Sequence, residues 1–171
     1  MTRNNDAAAV LEARVELVWG IDRRDWQVFR RRIPDSVVLD YSSHDPNRRP
    51  GPVDADYWLG FCRTLFTGLD ATQHSLTNAR VIECDGREAT TVTYVVAEHM
   101  WRDDSGRQRF YTLGGWYADR LVASDDGWLL AEMALHVEWD PGEKAILAQA
   151  QERGARLLGD AAVLTPPGAR G

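Results

Sequence analysis

Hydrophobic residues in the first part of the chain recur at helical spacing. Between residues 6 and 19, apolar side chains recur at mostly helical spacing, with alanines and charges between them, which predicts an amphipathic helix. A short second helix is expected from residue 25 to residue 29, ending before Pro34. Asp54 is suited to cap a third helix that ends at Gly68.

The pattern then changes to that of strands. A β-branched run predicts a strand over residues 37–41, and the polar stretch over residues 42–52 predicts a loop. Four longer runs rich in Val, Thr, Tyr and Trp follow, separated by Gly-containing turns, and predict an antiparallel meander. These runs cover residues 74–84, 89–101, 109–123 and 128–138.

The end of the chain returns to a helical pattern. Asp140-Pro141-Gly142-Glu143 resembles a helix start with an N-cap, a proline at the first position and an acid at the third. It predicts a final helix to about residue 158. The elements together predict an α+β fold in which helices cover one face of a curved, mainly antiparallel sheet and leave a pocket. One domain over residues 1–160 and a flexible tail over residues 161–171 are expected.

Composition limits the possible functions. The chain has 171 residues, 44% hydrophobic and 27% charged, which is typical of one globular domain. A net charge of −6 argues against nucleic acid as a partner. The N-terminus lacks an apolar signal region and no window is apolar enough to span a membrane, so we expect a cytoplasmic protein. Cys62 and Cys84 have no metal-site spacing and are interpreted as buried thiols; no metal and no cofactor are expected.

Four residues stand out as candidate chemistry: Asp22, Tyr41, His74 and His99. A carboxylate, a phenol and two imidazoles are the groups with which an enzyme moves a proton beside a carbonyl without a cofactor. Strand alternation puts His99 on an apolar face, where an isolated histidine is more often a core residue. Asp22 alone could equally be a turn residue, and His44 in the polar loop is expected to be solvated.

Short segments around these residues resemble scytalone dehydratase and the wider SnoaL-like branch of the NTF2-like superfamily. They are Asp22-Arg23-Arg24-Asp25-Trp26, Leu39-Asp40-Tyr41, Thr72-Gln73-His74, and Gly127-Trp128 followed by Trp139. The resemblance runs from about residue 17 to residue 140. It implies an NTF2-like cone with a catalytic Asp22–His74 dyad, Tyr41 as the group that polarises a carbonyl, and His99 as a second pocket imidazole.

The chain also departs from the dehydratase pattern. Ile21 stands where that family has a second pocket tyrosine, and Gly115 and Tyr117 stand where it has Ser and Asn, so the substrate must differ. Tyr117 or Tyr111 could supply the missing phenol, although strand packing is the simpler interpretation of both. The expected substrate-binding residues are Ile21, Trp58, Trp101, Tyr117 and His136.

The leading functional hypothesis is a cofactor-independent lyase of the dehydratase type, acting on a small carbonyl-containing or cyclic substrate. An isomerase or cyclase would use the same enolate chemistry. A non-catalytic module that binds small molecules is the alternative from a different class, because a fold alone does not decide function. A homo-oligomer, a trimer as in the similar proteins, is expected from a sheet face rich in Trp and Val.

Overall fold

The computed structural model describes residues 2–159, so the tail predicted at residues 161–171 lies outside the described residues. The elements are α1 (Thr2–Arg23), α2 (Trp26–Arg30), β1 (Ser36–Asp40), β2 (Gly51–Asp54), α3 (Ala55–Gly68), β3 (Ala71–Cys84), β4 (Glu88–Arg102), β5 (Gln108–Ser124), β6 (Gly127–Trp139) and α4 (Ile146–Leu158). No helix within residues 2–159 is long and apolar enough to cross a membrane.

The six strands form one curved sheet in the order β2-β1-β6-β5-β4-β3. All neighbouring pairs are antiparallel except β1 and β6, which run parallel, so the sheet is mixed. The predicted α+β class and the four long strands are confirmed. Strand β2 was missed because Gly51 and Pro52 are typical of loops; an edge strand that pairs only with β1 tolerates a proline.

The predicted start of the last helix is wrong. Helix α4 begins after Ala145, which makes no side-chain cap. The preceding segment instead extends the sheet: Thr112 N–H donates to Pro141 O at 3.1 Å, and Glu143 N–H donates to Phe110 O at 2.8 Å. Gly142, at φ +100°, lets the backbone pass close to β5. Pro141 and Glu143 therefore pair with β5, and the predicted helix start does not form there.

Helices α3 and α4 pack at backbone distance. A Cβ atom added to Gly68 would lie 1.7 Å from Ala150 O, and one added to Gly154 would lie 1.8 Å from Thr64 O. Gly68 does stand at the end of α3, as predicted, but the next residue is extended and no left-handed cap forms. The two glycines are therefore explained by the close approach of two helices, which sets α4 directly against α3.

We expect Gly154→Ala to destabilise the protein. Alanine favours a helix over glycine by about 1 kcal/mol, but overlap with Thr64 O would cost about 1–3 kcal/mol or more. Urea unfolding should show a lower free energy of unfolding. Gly51→Ala is the control, since its added Cβ would meet nothing within 4 Å. Equal or higher stability of Gly154→Ala would contradict the packing argument.

Candidate active site

Asp22 and His74 form a two-point contact between α1 and β3. Asp22 Oδ1 lies 2.7 Å from His74 Nδ1, and Asp22 Oδ2 accepts the His74 backbone N–H at 2.7 Å. The two side chains are only 18% and 6% exposed. Because an ionised carboxylate only accepts hydrogen bonds, Nδ1 carries the proton, and the Nε2 lone pair of a neutral imidazole is free to take one.

The end of α1 fixes the direction of the Asp22 carboxylate. Arg24 takes the left-handed conformation at φ +56°, and its N–H donates to Ile21 O at 3.1 Å. Asp25 N–H donates to Gly20 O at 2.8 Å, which completes a Schellman-type helix end. The Arg24 guanidinium then donates to the carbonyl of Asp22 at 2.8 Å and to carbonyls at the end of α3. Asp22 is therefore held in the last turn of α1, two residues before the left-handed residue Arg24.

His99 lies beside the dyad on β4, which pairs with β3. The rings of His74 and His99 meet edge to face, with centroids 5.8 Å apart. His99 Nδ1 donates to Tyr111 O at 3.2 Å, so its Nε2 is also unprotonated in the neutral ring. Burial, and secondarily the neighbouring His74, lowers the pKa of His99 to about 4. His99 is therefore a neutral imidazole near pH 7.

Tyr41 belongs to a different group of polar side chains. It follows β1, and burial raises its pKa, with Cys62, Tyr117 and Arg14 as its electrostatic neighbours. Its phenol is neutral and can donate a hydrogen bond. The candidate residues thus occupy two regions, the imidazole region of Asp22, His74 and His99 and a phenol region around Tyr41.

One cavity of about 540 Å³ joins the two regions, within the range of small-molecule sites. Its lining is mostly apolar and includes three expected substrate-binding residues, Ile21, Trp58 and Tyr117. Tyr41, His74 and His99 lie on the lining. Asp22 does not, and it acts on the cavity through its contact with His74. A ligand can therefore contact an imidazole and a phenol at once.

The expected contributions of Trp101 and His136 to the pocket are wrong. Trp101 shares the inward face of β4 but is covered by cations, with the guanidinium carbons of Arg109 and Arg153 at 5.4 and 5.2 Å from its ring centroid. His136 faces outward, where its ring stacks on Trp116 with centroids 3.8 Å apart. Neither side chain lines the cavity.

The prediction that His44 is solvated is also wrong. Its Nε2 lies 2.9 Å from the Tyr111 hydroxyl, which donates to Asp140 Oδ2 at 3.1 Å. Burial, and secondarily the nearby Lys144 ammonium, lowers the pKa of His44. His44, Tyr111 and Lys144 line the cavity, and Lys144 also donates to His44 O. No local pattern indicates this burial, because the loop that holds His44 is ordered by contacts with Tyr111 and Lys144, far along the chain.

Sequence reasoning also missed a buried ion pair at the closed end of the cavity. Arg14 Nε lies 2.8 Å from Asp119 Oδ2, and the side chains are 4% and 0% exposed. The sequence does contain an indication that Arg14 is buried, since it lies on the same helical stripe as Val10 and Leu17, which are both fully buried. Within residues 2–159, no group of three or more His, Cys, Asp or Glu side chains is arranged to hold a metal ion.

Helices packed into one face of a curved mixed sheet around such a cavity define an NTF2-like α+β protein. The sequence profile of the SnoaL-like domain matches residues 2–134. The chain therefore belongs to the SnoaL-like domain family. A comparison with curated protein sequences gives no match.

Solved structures agree with this fold. The Kfla4162 protein of Kribbella flavida is 25% identical, with a TM-score of 0.75 over 85% of this chain and 98% of that one. A Novosphingobium aromaticivorans protein assigned as a scytalone dehydratase is 17% identical, with a TM-score of 0.68 over 80% and 86%. A type-2 hexachlorocyclohexane dehydrochlorinase is 13% identical, with a TM-score of 0.65 over 94% and 93%.

The low pKa of His99 predicts an acid-sensitive fold. The unfolded imidazole has a pKa of about 6.5, so between pH 6.5 and about 4 the unfolded state binds more protons. The contribution of His99 to stability is then complete above pH 6.5 and is lost as the pH falls towards 4. Urea unfolding at several pH values should show a shallower pH dependence for His99→Phe than for the wild type. The outward-facing His136→Phe variant should keep the wild-type dependence; identical curves for all three proteins would refute the assignment.

Proposed function

We propose that this protein is a cofactor-independent lyase that eliminates water, or a comparable small leaving group, from a carbonyl-containing or cyclic substrate. The observation that carries the proposal is the two-point Asp22–His74 contact beside an apolar cavity. It leaves one imidazole nitrogen free as a base and places a carboxylate where it stabilises the imidazolium formed.

In the proposed reaction, His74 Nε2 removes the proton on the carbon next to a carbonyl. The C–H electrons form an enolate, whose oxygen receives a hydrogen bond from the Tyr41 phenol. The enolate then re-forms the carbonyl and the C–O bond to the leaving hydroxyl breaks as it accepts a proton, giving a carbon–carbon double bond and water. His99 is neutral near pH 7, so the newly formed His74 imidazolium is the acid that supplies this proton.

Two kinds of similarity support an elimination. Among structurally similar proteins are one assigned as a scytalone dehydratase and a hexachlorocyclohexane dehydrochlorinase, and both names describe the loss of a small molecule from adjacent carbons. The sequence segments around Asp22, Tyr41 and His74 resemble the dehydratase at the positions of its acid–base groups. A protein serving only as a scaffold would gain nothing from placing a carboxylate 2.7 Å from an imidazole at a cavity wall.

The first test is product analysis with a panel of β-hydroxy carbonyl compounds. For a compound that is turned over, His74→Ala should lower kcat by about 10²–10⁴-fold, since a general base is removed. Tyr41→Phe should lower it by about 10²-fold or more, the usual effect of losing one oxyanion donor.

The matched control is His136→Gln, which removes an imidazole from the outer face of the sheet. It should retain wild-type turnover, and melting temperatures should show that all variants fold. Wild-type rates in His74→Ala would disprove the dyad as the base. A 10²–10⁴-fold loss in His99→Asn, together with only a mild loss in His74→Ala, would move the base to His99.

We also propose that the protein assembles with further copies of itself, as a trimer. Large aromatic side chains on the outer sheet face support this: Tyr94 lies opposite Trp116 across β4 and β5, and Tyr94, Phe110 and Trp139 are each about half exposed. A cluster of that kind is typical of an interface.

Light scattering at micromolar concentration should give three times the chain mass of 19.3 kDa. Tyr94→Arg should shift the mass towards that of one chain, because an interface centre does not tolerate an unpaired charge. Leu157→Arg, at an exposed position on α4, is the control for added charge. A monomeric wild type would overturn the proposal.

A further inference from the structure

The closed end of the cavity contains a charged group that the proposed reaction does not use. Arg14 projects from α1 and lines the cavity together with Tyr117 and Met133. Its Nε is 2.8 Å from Asp119 Oδ2, close enough for an ion pair but not aligned as a hydrogen bond, and the Thr91 hydroxyl also stabilises the Asp119 carboxylate. Both side chains are buried, so each charge depends on the other.

The outer nitrogens of the Arg14 guanidinium are poorly satisfied. Nη2 donates to the thioether of Met133 at 3.6 Å, and the Tyr117 hydroxyl also helps to hold the guanidinium. The guanidinium carbon lies 4.0 Å from the ring centroid of Tyr117. Sulfur is a weak acceptor and a ring face is weaker still, whereas a guanidinium carries five N–H donors. An oxygen atom in the cavity would be a much better partner.

The charges around Arg14 indicate which kind of ligand oxygen it can bind. Burial raises the pKa of the Asp119 carboxyl, and the Arg14 guanidinium at 2.8 Å opposes that effect; with the carboxyl ionised, the pair is neutral. The nearby phenols of Tyr41 and Tyr117 have pKa values raised by burial, so they are neutral too. A carboxylate placed there would be a buried charge without a counter-ion, which is costly. A neutral carbonyl or phenol oxygen can accept from Arg14 without adding charge.

We propose that Arg14 is a specificity-determining residue that binds a neutral carbonyl or phenolic oxygen of the ligand at the closed end of the cavity. Asp119 is its positioning residue. Tyr117 lies against Arg14 and Tyr111 stacks on His99, and these two tyrosines are six residues apart on β5, so the two ends of the cavity are separated by at most about 20 Å. The favoured ligand is therefore a largely apolar ring compound that carries a neutral oxygen at its Arg14 end.

The inference depends on the proposed function only in regarding the ligand as a substrate; the binding itself can be measured without turnover. Suitable probes are 2-acetylnaphthalene, its alkene analogue 2-isopropenylnaphthalene, and 2-naphthoate, which share one shape and differ in the oxygen. Calorimetric titration of the wild type should give the ketone about 10- to 100-fold tighter binding than the alkene, the usual effect of a hydrogen bond to a charged group. The carboxylate should bind more weakly than the ketone.

The decisive variant is Arg14→Met with Asp119→Asn, which removes both charges together. It should bind ketone and alkene with affinities within about threefold, while the alkene affinity stays near that of the wild type. The control is Arg120→Met with Glu132→Gln, an ion pair of 2.6 Å on the outer face next to Asp119, and it should keep the full ketone preference. If the double variant does not fold, Arg14→Lys is tested in its place. The single side-chain nitrogen of the lysine is held by Asp119, so this variant should also show a smaller ketone preference than the wild type.

Several results would overturn the proposal: no ketone preference in the wild type, tightest binding of 2-naphthoate, no binding of any probe, or a ketone preference that survives loss of the Arg14 guanidinium. Failure of the proposed function has a different signature. In that case no β-hydroxy carbonyl compound is dehydrated, while the dependence of ketone binding on Arg14 persists.

Discussion

The link between α1 and β3 through the Asp22 carboxylate is the interaction on which the site depends. One oxygen contacts the imidazole of His74 and the other accepts the backbone N–H of the same residue. The backbone contact prevents the carboxylate from rotating away from the ring, so orientation and protonation state are set together. The left-handed turn at Arg24 supports this link, since it ends α1 one residue after Asp22, and the Arg24 guanidinium ties that end to α3.

Electrostatics divides the cavity into two ends of different character. At one end, aromatic packing keeps His99 neutral beside the dyad. At the other, the Arg14–Asp119 pair supplies hydrogen-bond donors with no net charge. The Asp22 carboxylate lies behind His74 and off the cavity lining, so neither end presents an uncompensated charge to a ligand. A ligand can therefore enter an apolar space without neutralising a charge, and only proton transfer to His74 creates one, next to the Asp22 carboxylate.

Local patterns predicted most of the fold and part of the site. The alternation of the four long strands and the helix-capping Asp54 follow from neighbours in the sequence, and the structure has both. Strand β2 and the segment at Gly142 depend on which strand lies beside them, which the local sequence does not reveal. Asp22 and His74 were found through short segment resemblances. His44 and Asp119 were missed because each is defined by partners far along the chain, Tyr111 and Arg14.

The alternation of side chains along β5 has a consequence for how this protein can change. Asp119 points into the interior, where it pairs with Arg14, and its neighbour Arg120 pairs with Glu132 on the outer surface. Tyr117 and Trp116 are separated in the same way. Single substitutions at the inward-facing positions alter which ligands the cavity accepts. Single substitutions at the outward-facing positions alter what the surface contacts. Ligand preference and self-association can therefore diverge independently among descendants of this sequence.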